Sequence, residues 1–493
     1  MLEIDGHNLR LEDLYNVAVN REEVKIKKEA VEKVGKTRQI IEEILKRGKP
    51  FYGINTGVGK LAEVTIDNAS IEELQRNIVR SHAVGVGAPL EEEYVRACML
   101  LRANTLTSGH SGVRVEVIEK ILEFLNKNII PYVPSRGSVG ASGDLAPLSH
   151  IALALIGEGY CIENGKRIPT EEVLAKKGVK PLSLKSKEGL ALINGTQATS
   201  SIISLILYKS MILAENADLI ASMTFEALKG VKEELDMRIA EIRPHNGIKR
   251  TLKNMNKFLK DSRMLQLEKQ RVQDAYSLRC TPQVHGAVWD ILDFAKRIME
   301  VEINSVTDNP VVFENGDVIS NGNFHGQHPG IAGDILGIAL SILGNISERR
   351  SFRLITPELS GLPAFLTTKS GLHSGFMMHQ VTQASLVSYN KILGHPATLD
   401  SIPTSGNQED FVSMAMNSAL KLKEIYDNTR KILAIELILA AQAIEISGIE
   451  NTSSYTRKVI KKIREFVPFL REDRFMLDEI EKVEVLLERP LAD

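Results

Sequence analysis

Gly137-Ser138-Val139-Gly140-Ala141-Ser142-Gly143-Asp144-Leu145-Ala146-Pro147-Leu148-Ser149-His150 is a glycine-crowded loop that runs into an apolar, helix-like segment from Leu148 to Ile156. Small residues let one backbone segment approach another without Cβ clashes. In a tightly bent Ala141-Ser142-Gly143, the Gly143 amide nitrogen can reach the Ala141 carbonyl carbon. Closure there, with loss of one water and of the Ser142 hydroxyl as a second, gives a five-membered imidazolone bearing an exocyclic methylene. That species is a strong electrophile, which none of the twenty side chains is. The plainer reading of the same residues is a glycine-rich turn in which Ser142 caps a helix.

Outward from this loop, the pattern is mostly helical. Towards the N-terminus, apolar spacing predicts helices over about Val113–Asn126, from Pro89 towards Leu106, and over about Glu22–Lys46. Ser70 with Glu73 is a capping-box signature for a helix reaching His82. Gly48, Pro50 and Gly53 break the pattern before the loop Tyr52-Gly53-Ile54-Asn55-Thr56-Gly57. Asp5-Gly6 between Leu2, Ile4 and Leu9, Leu11 predicts a small hairpin. Turn residues between Ile162 and Ile168, and Asn315-Gly316 between Val311-Val312-Phe313 and Val318-Ile319, predict two more.

Towards the C-terminus, Leu190–Gly230 has few breakers and apolar residues all round, as expected of a helix inside a bundle. Leu252–Leu278 is poor in glycine. Ile331–Arg350 and Asp427–Ile446 are further long helical patterns, and Arg457–Glu465 and Asp478–Leu487 are shorter ones. No internal repeat or low-complexity segment interrupts them. The expected fold class is mainly α: a long-helix bundle over residues 201–493, with a smaller N-terminal domain over 1–200 that carries the Ala-Ser-Gly loop and the short hairpins. A helix crossing the boundary would join the two.

Composition narrows the function classes. The chain has 493 residues, with 61 basic against 63 acidic, so it lacks the basic excess of a nucleic-acid binder. Residues 1–16 carry Glu3, Asp5, Glu12 and Asp13 and no apolar signal core. The apolar segments are interrupted by Lys209, Asp334 and Glu436, which argues against a membrane span. Cys98, Cys161 and Cys280 are few and scattered, which points to reduced thiols rather than a disulfide frame or a zinc site. The expectation is a cytoplasmic protein with no nucleic-acid or membrane partner.

Several polar groups stand out against this background. Arg80-Ser81-His82-Ala83-Val84-Gly85 ends a helix with a histidine near its dipole. Asn194, in Leu192-Ile193-Asn194-Gly195-Thr196-Gln197, places an amide in an apolar run, where it needs partners. Gln273, Tyr276 and Arg279 are spaced by three, so on helix-like geometry they share a face, and Arg279 offers a rigid fork suited to a carboxylate. Asp144 is placed to orient the loop and also to sit at a helix N-terminus, where the dipole favours it, and the two readings are compatible. Gly322-Asn323-Phe324-His325-Gly326-Gln327-His328 carries two histidines three apart. No supporting ligands lie nearby, and a metal needs several that converge, so none is expected. Asn407-Gln408-Glu409-Asp410-Phe411-Val412-Ser413-Met414 holds Glu409, which read plainly is a buried structural acid.

These stretches, in this order from Tyr52 to Met414, resemble the signature of the histidine/phenylalanine ammonia-lyase family. Its Ala-Ser-Gly cyclises to 4-methylidene-imidazol-5-one (MIO). The resemblance implies a mostly α fold, a homotetramer whose active sites combine residues of several subunits, and MIO from Ala141, Ser142 and Gly143 with no external cofactor. It implies elimination of ammonia from an aromatic amino acid, with Tyr52 as the base for the β-proton. The Tyr52 phenol is neutral at pH 7, so that role needs positive or hydrogen-bonding neighbours. By the same resemblance Asn194 touches MIO and substrate, and Arg279 holds the substrate carboxylate. Tyr276, counted among the catalytic residues, and Gln273 line the site, Phe324 packs near the MIO ring, and His82 faces the substrate ring. Glu409 resembles the carboxylate by which histidine-specific members contact the imidazole, which points to L-histidine as substrate and trans-urocanate as product. Phe411 departs from the histidine-specific pattern, which has a histidine there. An aminomutase, a lyase for another aromatic amino acid and a helical scaffold without chemistry are the alternatives.

Overall fold

The computed structural model describes residues 1–47, 51–61, 63–267 and 271–492, so Gly48 and Pro50, expected to break the second helix, lie outside the described residues. Among the described residues there are nineteen α-helices and four two-stranded sheets. Mainly α is therefore the fold class. The longest helices are Gln197–Ala227, Gln327–Ile355 and Ala415–Ser447, of 31, 29 and 33 residues. The first two are long and apolar enough by composition to cross a membrane, but 78% and 67% of their most apolar windows are buried inside the fold. Burial on all sides explains why apolar residues surround each helix instead of marking one stripe.

The chain forms two compact units. One comprises Met1–Tyr208, Lys296–Asp334 and Pro396–Leu420, and the other Lys209–Ala295, Ile335–His395 and Lys421–Asp493. Each long helix contributes to both.

In the first unit, the expected N-terminal hairpin does not form. Leu2–Ile4 pairs in parallel with Val24–Ile26, and Leu11–Ala18 between them is a helix burying Leu11, Leu14 and Val17. Asp5 turns the chain by accepting from the His7 and Asn8 amides at 3.0 and 3.2 Å, while the Gly6 amide donates to Asn104 Oδ1 at 3.0 Å. The Asp-Gly pair is thus a docking point against another helix, not a hairpin tip. The other two hairpins do form. Tyr160–Glu163 pairs with Lys166–Pro169 across Asn164 and Gly165, both at positive φ (51° and 72°), as a tight two-residue turn requires. Val311–Val312 pairs with Val318–Ile319. The helix expected from Pro89 starts at Glu92, because Val86–Pro89 is a strand paired with Pro134–Arg136. Ser70 precedes helix Ile71–His82 but makes no side-chain cap.

In the second unit, four long helices share a buried polar core. Arg350 donates to both oxygens of Glu436, at 2.6 and 2.9 Å, and to His285 Nε2 at 3.2 Å. His285 Nδ1 lies 2.7 Å from Asp218 Oδ1, and Trp289 donates to Asp218 Oδ2 at 3.1 Å. Gly337 and Gly344 lie against Ile425 and Ile432, so helices Gln327–Ile355 and Ala415–Ser447 pack closely there.

Candidate active site

The expected continuous helix from Leu190 is interrupted, and the interruption builds the site. Helix Glu188–Ile193 stops at Asn194, whose backbone is extended (φ −93°, ψ 100°), and a new helix begins at Gln197. Carbonyls freed at such a stop need donors. Arg102, fully buried, supplies them. Its Nη1 donates to the Asn194 carbonyl at 2.9 Å and to Gln197 Oε1 at 3.1 Å, and its Nη2 donates to the Ala191 carbonyl. The gap at 194–196 receives the loop centred on Ser142. Gly143 bridges Gly195 in parallel, and the Asp144 amide donates to the Gly195 carbonyl at 2.7 Å. Gly143 has φ +71°, and a Cβ there would overlap the Gly195 backbone. Only glycine meets both demands.

Asp144 is the N-cap residue of its own helix, Leu145–Leu155, but its carboxylate caps the helix starting at Gln197 instead. It accepts from the Thr199 amide at 2.7 Å, from Thr199 Oγ1 at 2.9 Å and from Ser138 Oγ at 2.7 Å. Burial pushes its carboxyl pKa up, and these donors oppose the shift. It therefore orients the loop and uses a helix dipole at the same time. The far side of the loop is fixed by the Met414 amide donating to the Val139 carbonyl at 2.8 Å and by Ser413 Oγ donating to the Gly140 carbonyl at 3.0 Å.

These restraints suit an Ala-Ser-Gly ring. The loop is bent at a glycine, and Asn194 Nδ2 donates to the Ser142 carbonyl oxygen, the one such a ring would keep, at 3.1 Å. Asn194 Oδ1 is buried and unpartnered. A buried acceptor without a donor is costly and calls for a ligand or a function.

Ser142 opens into a cavity of about 380 Å³ lined by Tyr52, Phe324, Glu409, Phe411, Asn309 and others of the first unit. Ser142 Oγ donates to Glu409 Oε1 at 2.6 Å, and Thr404 Oγ1 donates to Glu409 Oε2 at 2.5 Å. Tyr52 sits on a turn closed by the Phe51 amide donating to Asn55 Oδ1 at 2.8 Å, and the Gly59 amide donates to Tyr52 Oη at 3.1 Å. The Phe411 ring, 62% exposed, is stacked with His325, with centroids 6.0 Å apart and planes at 12°. Tyr52, Ala141, Ser142, Phe324 and Glu409 thus come together as expected, with Asn194 bonded to Ser142 and Gly143 in the same loop.

The remaining expected residues stand elsewhere. His82 ends its helix with Nδ1 2.8 Å from the Ile78 carbonyl, and it does not line the Ser142 cavity. Gln273, Tyr276 and Arg279 belong to the second unit and form their own cluster. Arg279 donates to Gln273 Oε1, and its guanidinium lies 4.9 Å from the centroid of Tyr276, which is 71% exposed. Tyr276 and Arg279 share a four-residue helix, but Gln273 precedes it, so one helix face does not unite all three. Among the described residues no three His, Cys, Asp or Glu side chains are grouped to hold a metal. Sequence reasoning overlooked Arg102, Ser138 and Thr199. Arg102 had a signal: a guanidinium within the apolar helix Glu92–Thr107 must find buried acceptors.

Residues 9–465 match the aromatic amino acid lyase family. A histidine ammonia-lyase of Alkaliphilus oremlandii is 48% identical over 479 residues, covering 97% of this chain and 94% of that protein. The crystal structure of histidine ammonia-lyase from Trypanosoma cruzi matches with a TM-score of 0.92 and 41% identity, over 99% of this chain and 93% of the other. Tyrosine aminomutase from Streptomyces globisporus matches with a TM-score of 0.95 and 39% identity, over 100% and 97%.

Proposed function

The chain belongs to the aromatic amino acid lyase family, and from that membership we propose that it eliminates ammonia from L-histidine to give trans-urocanate. It is a carbon–nitrogen lyase. The observation that carries the choice of substrate is the Glu409 carboxylate in the Ser142 cavity, hydrogen-bonded to Ser142 itself. A carboxylate can accept from an imidazole N–H, and it is left unpaired by a phenyl ring. The high identity to histidine ammonia-lyases supports the same reading.

In this proposal Ala141, Ser142 and Gly143 mature into MIO, which supplies the electrophile that activates the amino acid for loss of its amine. The protein's own groups do the rest. Asn194 Nδ2 withdraws electron density at the Ser142 carbonyl oxygen. Tyr52 Oη receives the β-proton, with the Gly59 amide donating to that oxygen. Glu409 orients the imidazole, and Phe324 packs the ring. Arg279 clamps the substrate carboxylate bidentately, with Gln273 and Tyr276 beside it, and His82 contacts the ring.

The working enzyme in this reading is a homotetramer with active sites shared between subunits. Support comes from exposed apolar stripes in the second unit: Ile338, Ile342 and Phe352 on one helix, and Met378, Val381, Tyr389 and Ile392 on another. Apolar faces of this size on a folded unit mark interfaces. Three free cysteines fit the cytoplasm.

The test is an ultraviolet assay for urocanate with L-histidine, paired with mass spectrometry of the peptide carrying Ala141–Gly143. Activity should accompany a loss of two waters from that peptide, and Ser142→Ala should abolish both. An active enzyme with an unmodified loop would overturn the MIO assignment. A β-amino acid product would favour the aminomutase reading, which the likeness to tyrosine aminomutase keeps in view.

A further inference from the structure

His325 lines a second cavity besides the one at Ser142. This neighbour, of about 450 Å³, is walled by Glu302, Ser305, Thr307, Asn323, Gln327 and His328. No lysine or arginine lines it, and Val306 is its only large apolar lining residue. Its one carboxylate is tied to the helix break that receives the reactive loop, because Glu302 accepts from Thr196, next to Gly195, and from Ser200 at 3.5 Å. Burial pushes the Glu302 carboxyl pKa up, against the Thr196 and Ser200 hydrogen bonds and the neighbouring His328. Gln327 keeps a buried Oε1 without a hydrogen-bond partner in the same wall. A wall of one carboxylate, several neutral oxygens and two imidazoles, with no lysine or arginine, is a chemistry that can hold a small monovalent cation. A divalent ion asks for more charged ligands.

We propose that this second cavity is a binding site for the ammonium product, reached past His325. The proposal rests on the ammonia-lyase reading, since that reaction releases ammonia at Ser142. Two features of the wall give the site its position. The His325 ring is shared by both cavities and is stacked with Phe411, so it forms the partition between them. Glu302 bonds to Thr196 in the same break between helices whose Asn194 donates to Ser142, so one wall residue of the second cavity is two hydrogen-bonded steps from the reactive loop. An ammonium ion there would donate to Glu302 and to neutral oxygens such as that of Gln327, and would leave the Ser142 cavity free for the next substrate.

The test measures inhibition of urocanate formation by ammonium chloride, with potassium chloride and tetramethylammonium chloride at matched ionic strength. Ammonium should inhibit more strongly than either. In Gln327→Leu and in Glu302→Gln the ammonium inhibition constant should rise roughly tenfold, the loss of one charge-assisted hydrogen bond. The KM for histidine should move less than twofold in Gln327→Leu. An unchanged ammonium inhibition constant in both variants would overturn the assignment, as would equal inhibition by potassium and ammonium in the wild type. Crystals soaked in thallous acetate give a readout that needs no turnover, because the thallous ion is close to ammonium in size and scatters anomalously. A peak beside Glu302 that ammonium displaces supports the site, and no peak in this cavity overturns it. If no urocanate forms from histidine, the ammonia-lyase reading fails while the thallous result still judges the cavity.

Discussion

At the scale of single residues, the proposed reaction divides the lining of the Ser142 cavity into groups that would act on bonds and groups that would choose the substrate. Tyr52 lines the cavity, and one backbone amide, that of Gly59, donates to its oxygen. Tyr52→Phe removes the proposed proton acceptor and keeps the ring, so kcat should fall by roughly 10²–10⁴, the usual cost of losing a general base. The loss of two waters at the Ser142 peptide should be unchanged, and near-normal turnover in a folded variant would show that another group takes the proton. Phe411 is on the choosing side. Its ring is stacked with His325 and faces the cavity that also holds Glu409, so an apolar edge sits beside the polar one. Phe411→His removes apolar contact available to a phenyl ring, which is worth about 1–3 kcal/mol for hydrophobic pockets. The kcat/KM ratio of histidine to phenylalanine should therefore widen about tenfold or more. An unchanged ratio would show that the Phe411 ring does not touch the substrate.

At the scale of elements, the decisive feature is the stop between helices Glu188–Ile193 and Gln197–Ala227. Asn194-Gly195 marked a motif in the sequence, but the stop itself was hidden, because apolar residues continue on both sides and hydrophobic periodicity does not register a three-residue gap. The N-terminal Asp5-Gly6 misled in the opposite way. A local turn signal was present, yet the strand partner, Val24–Ile26, comes after an intervening helix, and local spacing carries no information on such pairing. The Ala141–Gly143 loop, Tyr52, Phe324 and Glu409 were legible because each motif is compact. The residue that holds the stop open, Arg102, lies about ninety positions away along the chain. Arg102→Lys keeps the charge but loses the fork that reaches the Ala191 and Asn194 carbonyls together. The protein should fold, and kcat should fall by roughly 10²-fold, as when a catalytic group is misplaced by about an ångström. The KM for histidine should change little. Unaltered kcat would mean that Asn194 is held by the surrounding helices alone.

At the scale of the whole molecule, stability rests in part on the buried polar core of the second unit. His285 lies between Asp218 and Arg350, and Glu436 accepts both arms of that arginine. A guanidinium has no acceptor, so His285 Nε2 must accept, which leaves its proton on Nδ1 for Asp218. The ring is therefore neutral in the native protein. Burial and the Arg350 charge push its pKa below the ordinary 6.5, against the pull of Asp218 and Glu436. An unfolded chain would protonate this histidine at its ordinary pKa. Below about pH 6.5 the unfolded state then binds more protons than the native state, so this group makes stability fall as pH falls, down to its native pKa. Above that pH both states are neutral and the contribution is flat. The slope from one proton is at most about 1.4 kcal/mol per pH unit. Urea unfolding at fixed protein concentration, at pH 7.5 and 5.5, should show this loss in the wild type, and His285→Gln, which keeps an acceptor for Arg350, should show a smaller one. Removing Arg350 instead leaves the Glu436 charge with only the Thr224 hydroxyl, so Arg350→Leu should cost about 3–5 kcal/mol at either pH, as breaking a buried pair does. If His285→Gln and the wild type lose stability in parallel between the two pH values, the acid sensitivity lies in other groups and the histidine is already protonated or solvated in the native fold.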